Sequence, residues 1–329
     1  MTSYDVIGIG NAIVDVIAPA DDMFLDQMGI EKGIMQLIER DRAEVLYAAM
    51  RDRIETPGGS VANTIAGLGS LGLETAFIGK VKDDALGRFY AKGMADAGTA
   101  FPNAPVASAS APTSRSMIFV SPDGERSMNT YLGAGADIGS GDVPADVFAG
   151  GKILFLEGYL FDKPEGKTAF AAASQLMHGA GGLSGINLSD PFCADRHRAD
   201  FQRLIAEEMD FVIGNIAEWT TLYQTDDLMA ALDRASAVCD MVICTRSGNS
   251  VLLRRGDERA EAAVTPVVPV DATGAGDQFA AGFLFGLATG RTLDICGRMG
   301  VMAAAKVIGH IGPRPRADLR AMFASAGLI

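Results

Sequence analysis

Short apolar runs alternate along the chain with segments whose apolar residues recur at helical spacing. Residues 4–9 predict a strand that runs into Gly10-Asn11, and 12–17 a second extended run. Helices are expected over 24–28 and 41–53, the second with Leu46 and Met50 on one face, and a short strand over 33–38 lies between them. Thr56-Pro57-Gly58-Gly59-Ser60 is a glycine turn feeding a helix of small residues, with Ser60 as its N-cap and Asn63 one turn in. A strand over 75–81 and a helix from 83 follow, then a loop or irregular edge over 101–113, rich in Ala, Pro and Ser. The extended runs 116–120 and 126–131 flank Ser121-Pro122-Asp123-Gly124-Glu125, and Asp-Gly between such runs signals a hairpin.

Strand and helix then alternate. Strands are expected over 153–156, 185–189, 211–214 and 241–244, with 250–254 as a hairpin partner of the last. Helices are expected over 164–177, 201–209, 215–223 and 228–238. The β-branched run 263–270 predicts a strand, and Phe279, Phe283 and Leu287 a helix that Gly290 stops. A last helix over 294–307 precedes a Gly/Pro/Arg loop over 309–316. This order predicts an α/β fold with a mainly parallel sheet. The 116–131 hairpin interrupts the alternation and is expected to project as a flap.

Composition narrows the function classes. The 329 residues are 48% hydrophobic and 21% charged, enough for one large domain or two modest ones. Net charge is −13 with no basic stripe, which argues against a nucleic-acid partner. Cys193, Cys239, Cys244 and Cys296 lack CxxC spacing, and His178, His197 and His310 form no HxxxH pair, so no zinc centre or disulfide framework is expected. No charged leader precedes an apolar run and no apolar stretch approaches 18 residues, which predicts a cytoplasmic protein without a membrane span.

Candidate chemistry gathers at strand ends, where parallel sheets bind ligands. Gly10-Asn11, Gly58-Gly59, Gly158, Asn187, Asn215, Thr245 and Gly274 all sit there. The stretch 270–280 reads as a strand, a glycine turn and a helix start, whose free N–H groups and dipole favour an anion. Asp277 sits where that anion would sit, which suits a proton acceptor. On its own the stretch reads more readily as a tight turn with a first-turn Asp. Asp15, inside an apolar run, is either an outward-facing strand residue or a buried ligand. The dinucleotide fingerprint fails at Ile13, and a Walker loop fails at Phe161, upstream of Gly166-Lys167-Thr168.

Taken together, these motifs resemble those of the ribokinase (PfkB-type) carbohydrate kinases. Asp271-Ala272-Thr273-Gly274-Ala275-Gly276-Asp277 is similar to the family's C-terminal signature, Gly58-Gly59-Ser60 through Asn63 with Gly79 and 83–87 to its N-terminal one, and Asn215-x-x-Glu218 to its magnesium motif. Residues 8–15, 24–26, 158–160 and Asn187-Leu188-Ser189-x-Pro191-Phe192 look most like adenosine kinases. The resemblance implies a ribokinase-like three-layer α/β sandwich with a mainly parallel central sheet and a small β-sheet lid. The large nucleotide-binding core would span 1–14, 39–111 and 132–329, and the lid 15–38 and 112–131.

The resemblance also implies roles. Asp277 would be the base, kept ionised by the helix end; Gly274, Ala275 and Gly276 the anion hole; and Arg126, on the flap, a residue reaching the transferring phosphate. Asn11, Asp15, Gly58, Gly59, Ser60 and Asn63 would hold the sugar. Met35, Leu37, Phe119 and Tyr159 would either sandwich a purine or form lid core. Asn187, Asn215, Thr245, Gly248 and Thr273, with Gly274 and Gly276, would line the ATP site, and Glu218 with Asn215 would organise water around Mg²⁺. Asp271, Thr273 and carbonyls near Val307, His310 and Gly312 would hold a monovalent cation such as K⁺. Two departures stand out: Ala272 replaces the usual Thr, and Ser114-Arg115 stands at the lid hinge where many members have Gly and a small residue. The expected reaction is ATP- and Mg²⁺-dependent phosphorylation of the primary hydroxyl of a ribose unit, adenosine foremost. The same chemistry on ribose, fructose, a keto-deoxy sugar acid, inosine or guanosine, or a non-catalytic sensor, are the alternatives. A monomer or a lid-mediated homodimer is expected.

Overall fold

The computed structural model describes residues 3–329. Along the chain the strands are β1 (Val6–Ile9), β2 (Ile13–Pro19), β3 (Met35–Leu37), β4 (Ile54–Gly58), β5 (Thr75–Ile78), β6 (Thr99–Ala100) and β7 (Ser114–Val120). Then come β8 (Arg126–Tyr131), β9 (Ile153–Glu157), β10 (Leu183–Asn187), β11 (Phe211–Asn215), β12 (Met241–Arg246), β13 (Asn249–Arg255) and β14 (Glu258–Ala262). The helices are α1 (Asp22–Met28), α2 (Arg40–Ala49), α3 (Ser60–Ser70), α4 (Ala85–Asp96), α5 (Pro164–Gly179) and α6 (Pro191–Arg196). They continue with α7 (Arg198–Glu208), α8 (Ile216–Tyr223), α9 (Leu228–Ser236), α10 (Ala275–Ala288), α11 (Leu293–Val307) and α12 (Leu319–Ser325).

The large sheet runs β14-β13-β12-β11-β10-β9-β1-β5-β6, parallel from β12 to β6 with an antiparallel edge at β13 and β14. Its parallel strands β1, β5 and β9 to β12 are buried on both faces, and alternate residues feed two cores. Phe155, Phe211, Ile213 and Ile243 face α3, α10 and α11. Leu154, Leu156, Ile186, Val212 and Val242 face α5 through α9. The parallel strands leave their carboxyl ends on one edge, which places Gly10, Glu157, Asn187, Asn215 and Thr245 along it.

The small sheet runs β3-β8-β7-β2-β4. The 116–131 hairpin forms as expected, with Val120 opposite Arg126. β2 shows strict alternation: Val14, Val16 and Ala18 are buried against α1 and α2, while Ile13, Asp15 and Ile17 take the other face. Ser114 and Arg115, the departures at the expected hinge, are buried. The Arg115 guanidinium donates to Glu44 and lies over the Tyr47 ring, so it fastens the start of β7 to α2.

Four expectations are corrected. Residues 263–270 form no strand: Pro266 and Pro269 have no N–H to give a ladder, and the run lies mostly exposed beyond the sheet edge. β4 belongs to the small sheet, pairing with β2 from Ile13–Gly58 to Ile17–Ile54, although 54–58 was assigned to the core. Ser60 is the first residue of α3, with Gly59 as N-cap at φ +100°. The helix over 294–307 is not the last: α12 follows, capped by the Asp318 carboxylate accepting from Ala321 N–H.

Candidate active site

The start of α10 is held from several sides. Gly274 lies at φ +79°, and a Cβ there would come within 2.6 Å of Pro313, so this N-cap must be glycine. Ala275 N–H donates back to Ala272 at 3.2 Å, which removes it from the expected anion hole. Among the described residues, the N–H groups of Gly276 and Asp277 have no partner within the chain and remain for an anion.

Asp277, in the first turn, is half-buried. Its Oδ1 accepts from Ser60 Oγ at 2.7 Å and its Oδ2 from Asn63 Nδ2 at 3.0 Å. Enclosure pushes its carboxyl up to about 6, against the Ser60 and Asn63 hydrogen bonds and the Arg314 charge, which pull it down. The expected net depression by the helix end is therefore corrected: desolvation wins. The group is poised near neutrality, as a general base should be.

Asp15 faces this carboxylate from the small sheet. Among the described residues it has no hydrogen-bond donor, and burial pushes it up to about 7, opposed by Arg314 and Arg126 and reinforced by Asp277. Gly58 makes room for it, since a Cβ there would meet the Asp15 carboxylate at 2.3 Å. Asn11 is buried; its Nδ2 donates to Glu157 Oε1 at 2.9 Å, which leaves its Oδ1 buried without a partner and in need of a donor. Glu157 also accepts from Val61 N–H at 3.0 Å, and burial pushes it up to about 7. A cavity of about 630 Å³ joins these groups. Asn11, Asp15, Ser60 and Glu157 line it, with Ile34, Met35, Leu37 and Tyr159 as apolar walls and Asp162, Asp190, Phe192 and Arg196 at its rim. Phe119 is corrected as a substrate contact: it lies 1% exposed on the opposite face of the small sheet, its ring 5.4 Å from Phe24.

A second cleft of about 500 Å³ lies on the other side of the α10 start. Asn215, Thr245, Gly248, Ala272, Ala275, Gly276 and Phe279 line it, together with the exposed 264–269 segment. Asn187 and Thr273 do not face it: Asn187 Oδ1 accepts from Ser189 N–H, and Thr273 N–H donates to Asp271. Asn215 and Glu218 form a reciprocal capping box, in which Glu218 Oε2 accepts from Asn215 N–H at 2.7 Å and Asn215 Oδ1 accepts from Glu218 N–H at 3.0 Å. Burial pushes Glu218 up to about 7. No cluster of three metal-ligating side chains occurs among the described residues. Asn215 lines the cleft, and its Nδ2 donates to Glu218 Oε1 at 2.8 Å, so the pair is held at the cleft's edge.

Asp271 differs from its expected role. Its carboxylate accepts from Gly312 N–H at 2.8 Å and Thr273 N–H at 3.0 Å, and pairs with the Arg126 guanidinium. The Arg126 guanidinium thus occupies the carboxylate read as a K⁺ ligand, and the Val307 carbonyl accepts from His310 N–H at 3.3 Å. The same pair holds Arg126 on Asp271 and, among the described residues, leaves its Nη1 without a partner.

Residues 32–319 match the model of the pfkB family carbohydrate kinases. The chain belongs to the PfkB family. The kinase superposes on a probable sugar kinase protein from Rhizobium etli CFN 42 with a TM-score of 0.92, at 44% identity over 100% of both chains. It superposes on an adenosine kinase from Sinorhizobium meliloti with a TM-score of 0.91, at 45% identity over 98% of this chain and 99% of that one. It is 30% identical to a fructokinase from Klebsiella pneumoniae over 71% of this chain and 78% of that protein. As a carbohydrate or nucleoside kinase it takes ATP as a substrate.

Three residues of the kinase's site escape a sequence reading. Glu157 ends an apolar strand and gives no local signal. Arg314, in the 309–316 loop, reaches back so that its Nε donates to Asn63 Oδ1 at 3.4 Å. Gln278 is fully buried and its Nε2 donates to Asn63 and Pro313 carbonyls at 3.0 and 3.1 Å, clasping three segments. Only the polar residue inside a buried helical face hinted at Gln278.

Proposed function

We propose that this kinase transfers the γ-phosphate of ATP to the primary hydroxyl of a purine nucleoside, adenosine foremost. The observation that carries this reading is that Ser60, which together with Asn63 holds Asp277, lines one cavity with Asp15 and the unpartnered Asn11 Oδ1. Asp15 and the Asn11 Oδ1 accept hydroxyls of the ribose ring. The primary hydroxyl then faces Asp277, which takes its proton as the phosphoryl group arrives. The free N–H groups at the start of α10 neutralise charge on the transferring group. ATP occupies the cleft lined by Thr245 and Gly248; Asn215 and Glu218 would hold Mg²⁺ through its water, and the ion would supply charge neutralisation for the phosphates. The small sheet acts as a lid that excludes water from the transfer.

Two features favour a nucleoside. The walls Ile34, Met35, Leu37 and Tyr159, with Phe192 at the rim, offer apolar surface that a free sugar does not need. The lining also carries four carboxylates, Asp15, Glu157, Asp162 and Asp190, against one arginine already paired with Asp162. That field disfavours a sugar acid. The second reading is transfer to a free sugar, favoured by the fructokinase relative. Release of ADP across adenosine, inosine, guanosine, ribose and fructose separates the two. Turnover on fructose or ribose without turnover on any nucleoside would overturn the first.

A further inference from the structure

We infer that Asp162 and Arg196 form a preassembled pair that reads the amino edge of the base and selects adenosine over 6-oxopurine nucleosides. This rests on the proposal that the acceptor is a nucleoside. The cavity has two chemically distinct ends. Asn11, Asp15 and Ser60 mark the end at Asp277, and Asp162, Arg196 and Phe192 mark the rim. A ribose whose primary hydroxyl faces Asp277 and whose ring hydroxyls sit on Asp15 sends its base outward, past Tyr159 and Met35, to that rim.

The pair is built before any ligand arrives. Arg196, at the end of α6, places Nη2 3.1 and 3.2 Å from the two Asp162 oxygens. His197 Nε2 lies 2.8 Å from Asp162 Oδ1, and its Nδ1 lies 3.5 Å from Lys167 Nζ. Asp162 is thus fixed from behind, while the Arg196 side chain stays 54% exposed. Among the described residues, its Nε and Nη1 bond nothing within the chain.

A donor beside an acceptor complements adenine, which offers N7 as an acceptor next to the N6 amino donor. Hypoxanthine and guanine carry two adjacent acceptors there, so O6 would lie against the Asp162 carboxylate. The same pair therefore attracts one base class and repels the other.

The test compares kcat/KM for adenosine, inosine and 7-deazaadenosine, which lacks N7, in the wild type, Asp162→Asn and Arg196→Met. The wild type should prefer adenosine to both analogues. Asp162→Asn should narrow the adenosine-to-inosine ratio by about tenfold. Arg196→Met should weaken adenosine by about tenfold, through the KM for nucleoside and not that for ATP. It should also abolish the distinction between adenosine and 7-deazaadenosine, which a merely structural role would leave in place. A wild type that prefers adenosine while both variants keep its ratios overturns this inference alone. A wild type that turns over only free sugars overturns the nucleoside proposal itself.

Discussion

Two neighbouring carboxylates, Asp15 in the cavity wall and Asp277 behind Ser60, are treated in opposite ways. Asp277 sits on the first turn of α10, tied by Ser60 and Asn63, with Gly274 wedged against Pro313 and Gln278 clasping the neighbouring loop. Asp15 sits on a strand of the small sheet with no donor of its own. The first is over-determined by the core, as a group that must move a proton at a defined point should be. Among the described residues the second has no donor and lines the cavity, where it is open to a hydroxyl that enters. In the proposed reaction, chemistry falls to the start of α10 and recognition to the small sheet and the cavity wall opposite it.

Asp277→Asn should lower kcat by about a thousandfold while calorimetry shows ATP binding retained; a kcat near wild type would remove Asp277 as the base. Asp15→Ala should raise the KM for the acceptor by about a hundredfold and leave the KM for ATP within a fewfold. Equal effects on both would move Asp15 out of the acceptor site.

Acid should act next. The base must be ionised, and enclosure raises it to about 6, so the acid limb of kcat/KM should fall near pH 6 and not near pH 4. Stability has the opposite sign. Asp277, Asp15, Glu157 and Glu218 are all raised in the folded state, to between about 6 and about 7. Folded protein therefore holds protons that unfolded chain has lost, and stability declines as pH rises from about 4 through 7. The ligand-free protein should melt higher at pH 5 than at pH 8, and Asp15→Asn should reduce that difference. The smallest effect is expected from K⁺. With Arg126 on Asp271, replacing K⁺ by Na⁺ should change turnover less than about twofold, and Arg126→Ala should be the change that introduces K⁺ dependence.

Much of this arrangement is legible in the chain because its signals are local. A strand end, a glycine pair and a helix start mark Asn11, Asp15, Gly58-Gly59, Asn63 and Gly274–Asp277 without knowledge of the fold, and the strand–helix alternation gives the parallel sheet. What escapes depends on distant partners. Glu157 matters because Asn11 and Val61 donate to it, 146 and 96 residues away. Phe119 and Met35 look alike as apolar strand residues, and only the register of β7 on β2 turns Phe119 toward α1. The sign of the Asp277 shift needed the enclosure, which a helix dipole argued alone leaves out. The 263–270 run shows β-branched propensity losing to two prolines.

The central claim is transfer of phosphate to the primary hydroxyl that faces Asp277. Phosphorus and proton NMR of the products formed from ATP, Mg²⁺ and adenosine test it most directly. The account predicts adenosine 5′-monophosphate and ADP in equal amounts. Phosphate on a ring hydroxyl, or ADP with no phosphorylated acceptor, would contradict it.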